Sequence, residues 1–428
     1  MWRRLSIDAQ TYALSRMGHV LPLLDIELQT GVMQALAHFW CPYTATFILG
    51  KHELTPTLEE YSLAIGKPLS IDLIRPCVGM DPIFIFAEFL KISENKMRKI
   101  LKGNCHMCPF SFLVELFYES NSYLQSRIFI LAFFGLVIFP LQKDFISPSM
   151  AWIARQVCSG MNFTNAILAE TFISLTRFKQ NKEKTFHAPV GLLQMWFFSH
   201  YAKFGSKMTI PRVSQEENPI AKFQELQKNI ARLSYSEWID LFKDPSPKVF
   251  LWQAIWFQVS KARLYHGERE PILLLGITGM TQYHPLRVVR QYGVLQDIPP
   301  PLGPNTFQVE FVAGENYRTE IKHLDQTWLK SKTRSLSLPK EELEGKEKCY
   351  HAKARYIKYH LIPTHMLPKF PLVIVKPTRQ AEIETYAKKT QKAKRQMKTL
   401  AKENARLRKE LEAHLSIDCV ATKKRKTA

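Results

Sequence analysis

A net charge of +21 on 428 residues, 46% of them hydrophobic, describes a chain that can bury a full core and is drawn to polyanions. Its seven cysteines (Cys41, Cys77, Cys105, Cys108, Cys158, Cys349, Cys419) are odd in number and irregularly spaced, which argues against a disulfide framework and for a reducing compartment. The most apolar run, Ile128–Pro140, has 13 residues where a membrane-spanning helix needs about 20, and "MWRRLSIDAQ" leads into no apolar signal core. A soluble, intracellular protein without membrane contact is therefore expected.

Helical periodicity dominates the first two hundred residues. In "VLPLLDIELQTGVMQALAHFW" the positions Leu24, Leu28, Val32, Leu36 and Phe39 recur every three or four residues and predict one buried helical face. In "HELTPTLEEYSLAIG" two helix starts compete. Thr55 can cap with Pro56 at the first helical position, or Thr57 can cap with Glu60 at capping-box spacing; Gly66 and Lys67-Pro68 end the helix either way. Further helices are predicted at "IFIFAEFLKI", "SFLVELFYESNSYLQS", "SRIFILAFFGLVIF", "NAILAETFISLTRFKQ" and "VGLLQMWFFSHYAKFG". All carry apolar and aromatic side chains, so they should pack together.

A sub-boundary is expected near residues 206–219. Beyond it "AKFQELQKNIARLSYSEWIDLF" reads as one long helix or a helical pair, and "VFLWQAIWFQVSKARLYHG" as another aromatic helix. Then "LLLGITGMTQYHPLRVVRQYG" (residues 273–293) poses the question of a phosphate loop. No GK[ST] follows its glycines and the spacing fails GxGxxG, so a tight bend is predicted instead. Pro285 should head the following helix and Gly293 close it, with Val288 and Val289 in the core and Arg287 and Arg290 in water or on a partner.

The C-terminal part changes character. Residues 330–348 are polar and expected to be mobile, "YHAKARYIKYHL" reads as a helix, and 366–380 as a proline-containing linker. From 381 to 415 a heptad register places Ile383, Thr390, Met397, Asn404 and Leu411 at a, with Tyr386, Ala393, Leu400, Leu407 and His414 at d. The expected interface is Met397, Leu400, Asn404, Leu407 and Leu411, serving a homodimer or another coiled-coil partner. Residues 376–428 hold 16 Lys/Arg against 6 Asp/Glu, ten of the 21 net positive charges. In the tail (416–428), Lys423, Lys424, Arg425 and Lys426 form a cluster suited to nuclear import or phosphate binding. The fold class expected is mainly α: a large helical domain over residues 1–365 with few short strands, plus a C-terminal coiled-coil helix.

The ordered series "LAHFWCPYTATFILGKHELTPTLEEYSLAIGKPL", "SRIFILAFFGLVIFP", "AILAETFISLTRFKQ", "LLQMWFFSHY" and "LLLGITGMTQYHPLRVVRQYG" resembles the plant mobile domain ("aminotransferase-like, plant mobile domain") family, most nearly its transposon-associated branch of unknown function. Cys41 departs from the Asp that relatives often carry after Phe-Trp, which weakens any role for an acid there. The resemblance implies a mostly helical fold, nuclear residence, descent from transposable-element genes and a phosphatase-like partner. It implies no catalytic residue.

Direct signals of chemistry are sparse. Cys105 and Cys108 form a CxxC around His106, half of a structural zinc site, and two ordinary thiols are the expectation over metal or redox roles. His187, His200, His266 and His284 stand singly, no GxSxG occurs, and the acids Asp72, Asp81 and Glu170 have no local two-metal pattern. Aromatic-basic mixtures in "YHAKARYIKYHL" and "SHYAKFGSK" suit either nucleic acid or buried tyrosines with snorkelling lysines. No catalytic residue, cofactor or metal is therefore expected. The expected function is a non-enzymatic, transposon-derived nuclear interaction protein that self-associates through its coiled coil and binds nucleic acid nonspecifically. The alternatives are a remnant metal-dependent transposition enzyme and a scaffold for a phosphatase-like partner.

Overall fold

Side-chain caps set where many of the helices begin, each worth about 1 kcal/mol. Ser6 accepts from the Ala9 N–H and opens α1 (Ile7–Met17). The computed structural model describes residues 1–336 except 71, 78, 104–105, 141–143, 181–185, 202–217, 231, 247–248, 266–270, 295–307 and 311–315. All of these but Gly103 belong to one compact unit.

The helix expected across Leu24–Phe39 begins late. Leu21–Asp25 is a 3-10 turn, α2 runs only over Thr30–His38, and Leu24 and Leu28 are exposed while Val32, Leu36 and Phe39 are buried. The reason is tertiary: Glu27 donates its backbone N–H to the Gln227 side chain and Gln29 donates its own to Gln194, both at 2.7 Å. Next, where the sequence reads as an aromatic-rich link, the chain forms an antiparallel meander of β1 (Trp40–Cys41), β2 (Thr46–Leu49) and β3 (His52–Leu54). Phe47 pairs with both Trp40 and Leu54 in its register.

Helices α3 (Leu58–Ile65), α4 (Pro82–Leu90) and α5 (Glu94–Ile100) follow. A two-residue ladder joins β4 (Cys108–Pro109) to β5 (Phe145–Ile146); between them lie α6 (Phe110–Glu119) and α7 (Ser122–Phe133). A π-helical turn at Phe134–Ile138 extends α7, so the most apolar run is buried helix as expected. Among the described residues no helix is long and apolar enough to cross a membrane.

Behind α8 (Pro148–Cys158) lies the central element, α9 (Thr164–Lys179). Every residue from Thr164 to Arg177 is buried, polar ones included, so α9 is surrounded by protein on all sides. It packs against α2, α3 and β1 and against a later hairpin. α10 (Val190–His200) is likewise buried from Gly191 to its end. The predicted long helix or pair is the pair, α11 (Pro219–Leu226) and α12 (Tyr235–Lys243), the latter opened by a Ser234–Glu237 capping box. Tyr201, Trp238 and Phe242 form an aromatic cluster there, with ring centroids 5.2–5.9 Å apart.

The aromatic helix expected at Val249–Gly267 is not formed over its described residues, 249–265. Its start is irregular, and Lys261–Tyr265 is a strand (β6). The segment bonds to α10 at two points: Leu251 N–H donates to the His200 carbonyl at 2.8 Å, and Trp256 Nε1 to Ser199 Oγ at 2.9 Å. Then β7 (Ile272–Leu275) and β8 (Gly279–Tyr283) make a hairpin, and β8 also pairs with β9 (Gln308–Glu310). Pro285–Tyr292 is a 3-10 segment kinked at Val288, not the α-helix expected. Finally α13 (Asn316–Lys330) leads to β10 (Lys332–Ser335), which pairs with β6 inside the polar stretch 330–348. The fold is mainly α with small sheets. The expected coiled coil at 381–415, with Met397, Leu400, Asn404, Leu407 and Leu411, and the tail with Lys423, Lys424, Arg425 and Lys426 lie outside the described residues.

Candidate functional site: a buried polar clasp

The two starts proposed for α3 are resolved by hydrogen bonds. Thr57 is the cap: its hydroxyl accepts from the Glu60 N–H at 3.2 Å, and Glu60 Oε2 accepts from the Thr57 N–H at 2.8 Å. Thr55 is held elsewhere, its N–H donating to Gln291 Oε1 at 3.0 Å and its carbonyl accepting from Gln291 Nε2 at 2.9 Å. This reciprocal strap ties the residues before α3 to the segment that ends at Gly293.

Glu60 has no solvent exposure, so its carboxyl must be satisfied internally. Oε2 also accepts from Trp196 Nε1 at 3.0 Å and from the Thr57 hydroxyl at 2.9 Å, and Oε1 lies 2.7 Å from His200 Nε2. His200 Nδ1 is 2.8 Å from the Leu251 carbonyl, which can only accept. Nδ1 therefore carries a proton, and the Nε2–Oε1 contact shares another. α3, α10 and the segment after Phe250 meet on this one carboxyl.

Two more acids complete the clasp. Glu53 is paired with Arg287 through two parallel bonds, 2.6 Å to Nε and 2.5 Å to an Nη, with side chains 6% and 3% exposed. The expectation that Arg287 stays in water or meets a partner is thus corrected: it reaches inward to β3. Arg290 stacks on Trp252, 3.4 Å from the ring centroid, and donates to the Glu53 carbonyl at 3.2 Å. Glu59 accepts from Tyr292 Oη and from the Arg263 N–H, both at 2.7 Å, and burial pushes its carboxyl above the ordinary range. Tyr292 meets the Tyr283 hydroxyl at 3.1 Å, and Leu58 N–H donates to Tyr283 at 3.3 Å. Val288 and Val289 face the core, and Gly293 ends the segment with φ +77°.

The glycine turn that raised the phosphate-loop question does hold an acidic side chain, and that side chain is the protein's own. Glu170 of α9 enters the β7–β8 turn, accepting from Ile277 N–H at 2.6 Å, Thr278 N–H at 2.7 Å and the Thr278 hydroxyl at about 3 Å. A Cβ on Gly276 would lie 2.5 Å from Glu170 Oε1, so glycine is needed for the approach itself. Burial raises the Glu170 carboxyl, and the Thr278 bonds offset part of that. Neighbouring Asn165 accepts from the Leu275 N–H at 2.8 Å, fixing the same turn.

Other sequence candidates are placed apart. Asp81 caps α4, Asp72 offers its carbonyl to Asn162 N–H, and Glu170 sits in its turn. Among the described residues no three His, Cys, Asp or Glu gather as metal ligands. Cys108 is buried and its thiol is pushed up to about 12, while Cys105 lies outside the described residues. Of the mixture "SHYAKFGSK", Ser199, His200 and Tyr201 are buried and the rest is outside the described residues. His284 is pushed down to about 4 by burial and by Arg287 beside it. Glu53, Glu59 and Gln291 were not singled out by sequence. Their only local signal was a Glu-Glu pair in a first helical turn and a Gln beside the arginines.

The chain belongs to a family described as a domain of unknown function (DUF7745), whose profile matches residues 2–355 and so takes in the whole clasp. No curated protein and no solved structure matches it.

Proposed function

We propose that this chain is a non-enzymatic interaction protein of the nucleus, related to the transposon-associated branch of the plant mobile domain family. It self-associates through residues 381–415 and carries nucleic acid nonspecifically on its basic surface. One observation supports the non-enzymatic reading above others. Among the described residues, Glu60 is buried against His200 and Glu53 against Arg287, so the clasp spends these groups on bonds inside the fold and turns none of them to a substrate. The clasp acts as a lock between the sequence segments around residues 53–60 and 283–292.

The test is recovery of partners from cell extract by the full chain, with and without nuclease treatment, alongside sedimentation of the chain with and without residues 381–415. The expected result is nuclease-sensitive recovery and a dimer that becomes monomeric on deletion. Magnesium-dependent cleavage or strand transfer of DNA would overturn the proposal, as would a monomeric full chain at micromolar concentration.

A further inference from the structure

Averaged over the chain, the charge outside the C-terminal tail is a mild excess, but the fold concentrates part of it. Between Lys91 and Lys102 the sequence holds Lys91, Lys96, Arg98, Lys99 and Lys102 against one acid, Glu94. All five cations are exposed. Lys91 lies 3.5 Å from Glu88, which also pairs with Arg155. Among the described residues, the other four meet no acid.

Their backbone is fixed. Ser93 caps α5, and Met97 of α5 is fully buried, which sets the helix's rotation. At about 100° per residue, Lys96 and Arg98 flank the Met97 direction on either side and Lys99 points away from the core. Lys102 is pinned by two backbone bonds with Met107, at 2.9 and 3.0 Å. A short, anchored helix and the pinned residue just beyond it thus present four cations without an acid partner to solvent, with no large apolar side chain exposed among them to enter a lipid layer.

We propose that Lys96, Arg98, Lys99 and Lys102 form a phosphate-backbone contact for nucleic acid on the folded body, separate from the basic tail. The inference rests on the nucleic-acid reading above and gives that reading a place in the fold. The cations bind by releasing condensed counterions, so the contact reads charge and not base sequence.

The test compares the full chain with a patch variant (Lys96→Gln, Arg98→Gln, Lys99→Gln, Lys102→Gln) and a tail variant (Lys423→Gln, Lys424→Gln, Arg425→Gln, Lys426→Gln). Binding to a 30-base-pair DNA duplex is measured from 50 to 200 mM salt, and to phosphatidylserine vesicles in parallel. Each phosphate contact adds about 0.9 to the log–log salt slope, so the patch variant should be shallower by about 3 to 4. The wild-type advantage should then shrink about 100-fold across that salt range. Its urea midpoint should match wild type, because the four side chains are exposed. A patch variant with the wild-type slope overturns the inference and leaves the tail as the contact. A wild-type chain that binds no duplex overturns both the inference and the nucleic-acid reading. Loss confined to vesicle binding assigns the patch to lipid and overturns the inference alone.

Discussion

Replacing Arg287 by Met keeps most of its length and removes the cation paired with the Glu53 carboxylate. In the mutant, Glu53 would retain the Thr46 hydroxyl at 3.2 Å as its remaining side-chain donor, at a site 5% exposed. Leaving one member of a buried ion pair uncompensated costs about 3–5 kcal/mol, whereas replacing both members by apolar residues is often neutral. Arg287→Met should therefore lower unfolding free energy by about that amount. Glu53→Leu alone should cost about as much, and the double variant less than the sum by 2 kcal/mol or more. Urea unfolding, followed by tryptophan fluorescence and circular dichroism together, measures all four corners of the cycle. An Arg287→Met protein within about 0.5 kcal/mol of wild type would refute the buried-pair argument, as surface substitutions fall in that range. Strict additivity would refute it too.

Gly276→Ala should cost about 2–3 kcal/mol, because its Cβ would displace a buried carboxylate from its donors; Gly79→Ala, with no atom within 4 Å, should cost only about 1 kcal/mol for its φ of +73°. Equal urea midpoints for the two variants would contradict the Glu170 turn. His284 is held near 4 when folded against about 6.5 when unfolded, so the unfolded chain binds the extra proton between those values and stability falls as pH drops through that window. His284→Phe should flatten the unfolding profile there by up to about 1.4 kcal/mol per pH unit, and a profile parallel to wild type would show the histidine to be accessible. Because burial raises the Cys108 thiol, iodoacetamide at pH 8 should leave Cys108 unmodified until urea unfolds the chain, as peptide mass spectrometry would show. Rapid native modification would contradict its buried placement.

What the sequence revealed was local, and what it hid was distant. Gly66 and Gly293 close their segments as read, and Thr57 with Glu60 forms the capping box that their spacing offered. Choosing between Thr55 and Thr57 required Gln291, 236 residues away, to occupy the Thr55 N–H. Leu24 and Leu28 matched a helical period, yet side chains 165 and 200 residues distant hold the Glu27–Gln29 backbone extended. The segment after Val249 had helical composition, but Leu251 and Trp256 bond to α10 and Lys261–Tyr265 pairs with β10. For the candidate site, the missing GK[ST] pointed to a bend, while the occupant of the turn, Glu170, lay 107 residues upstream. Arg287 read as a surface arginine because its partner Glu53 is 234 residues away.

The clasp's role is tested most directly by Glu60→Gln, which keeps the side chain's shape and removes a carboxylate that accepts from Thr57, Trp196 and His200. Urea midpoint and partner recovery per folded molecule are measured on the same preparation. A structural lock predicts a lowered midpoint with the wild-type set of partners, whereas a wild-type midpoint with lost partners would make Glu60 part of a binding or reacting site.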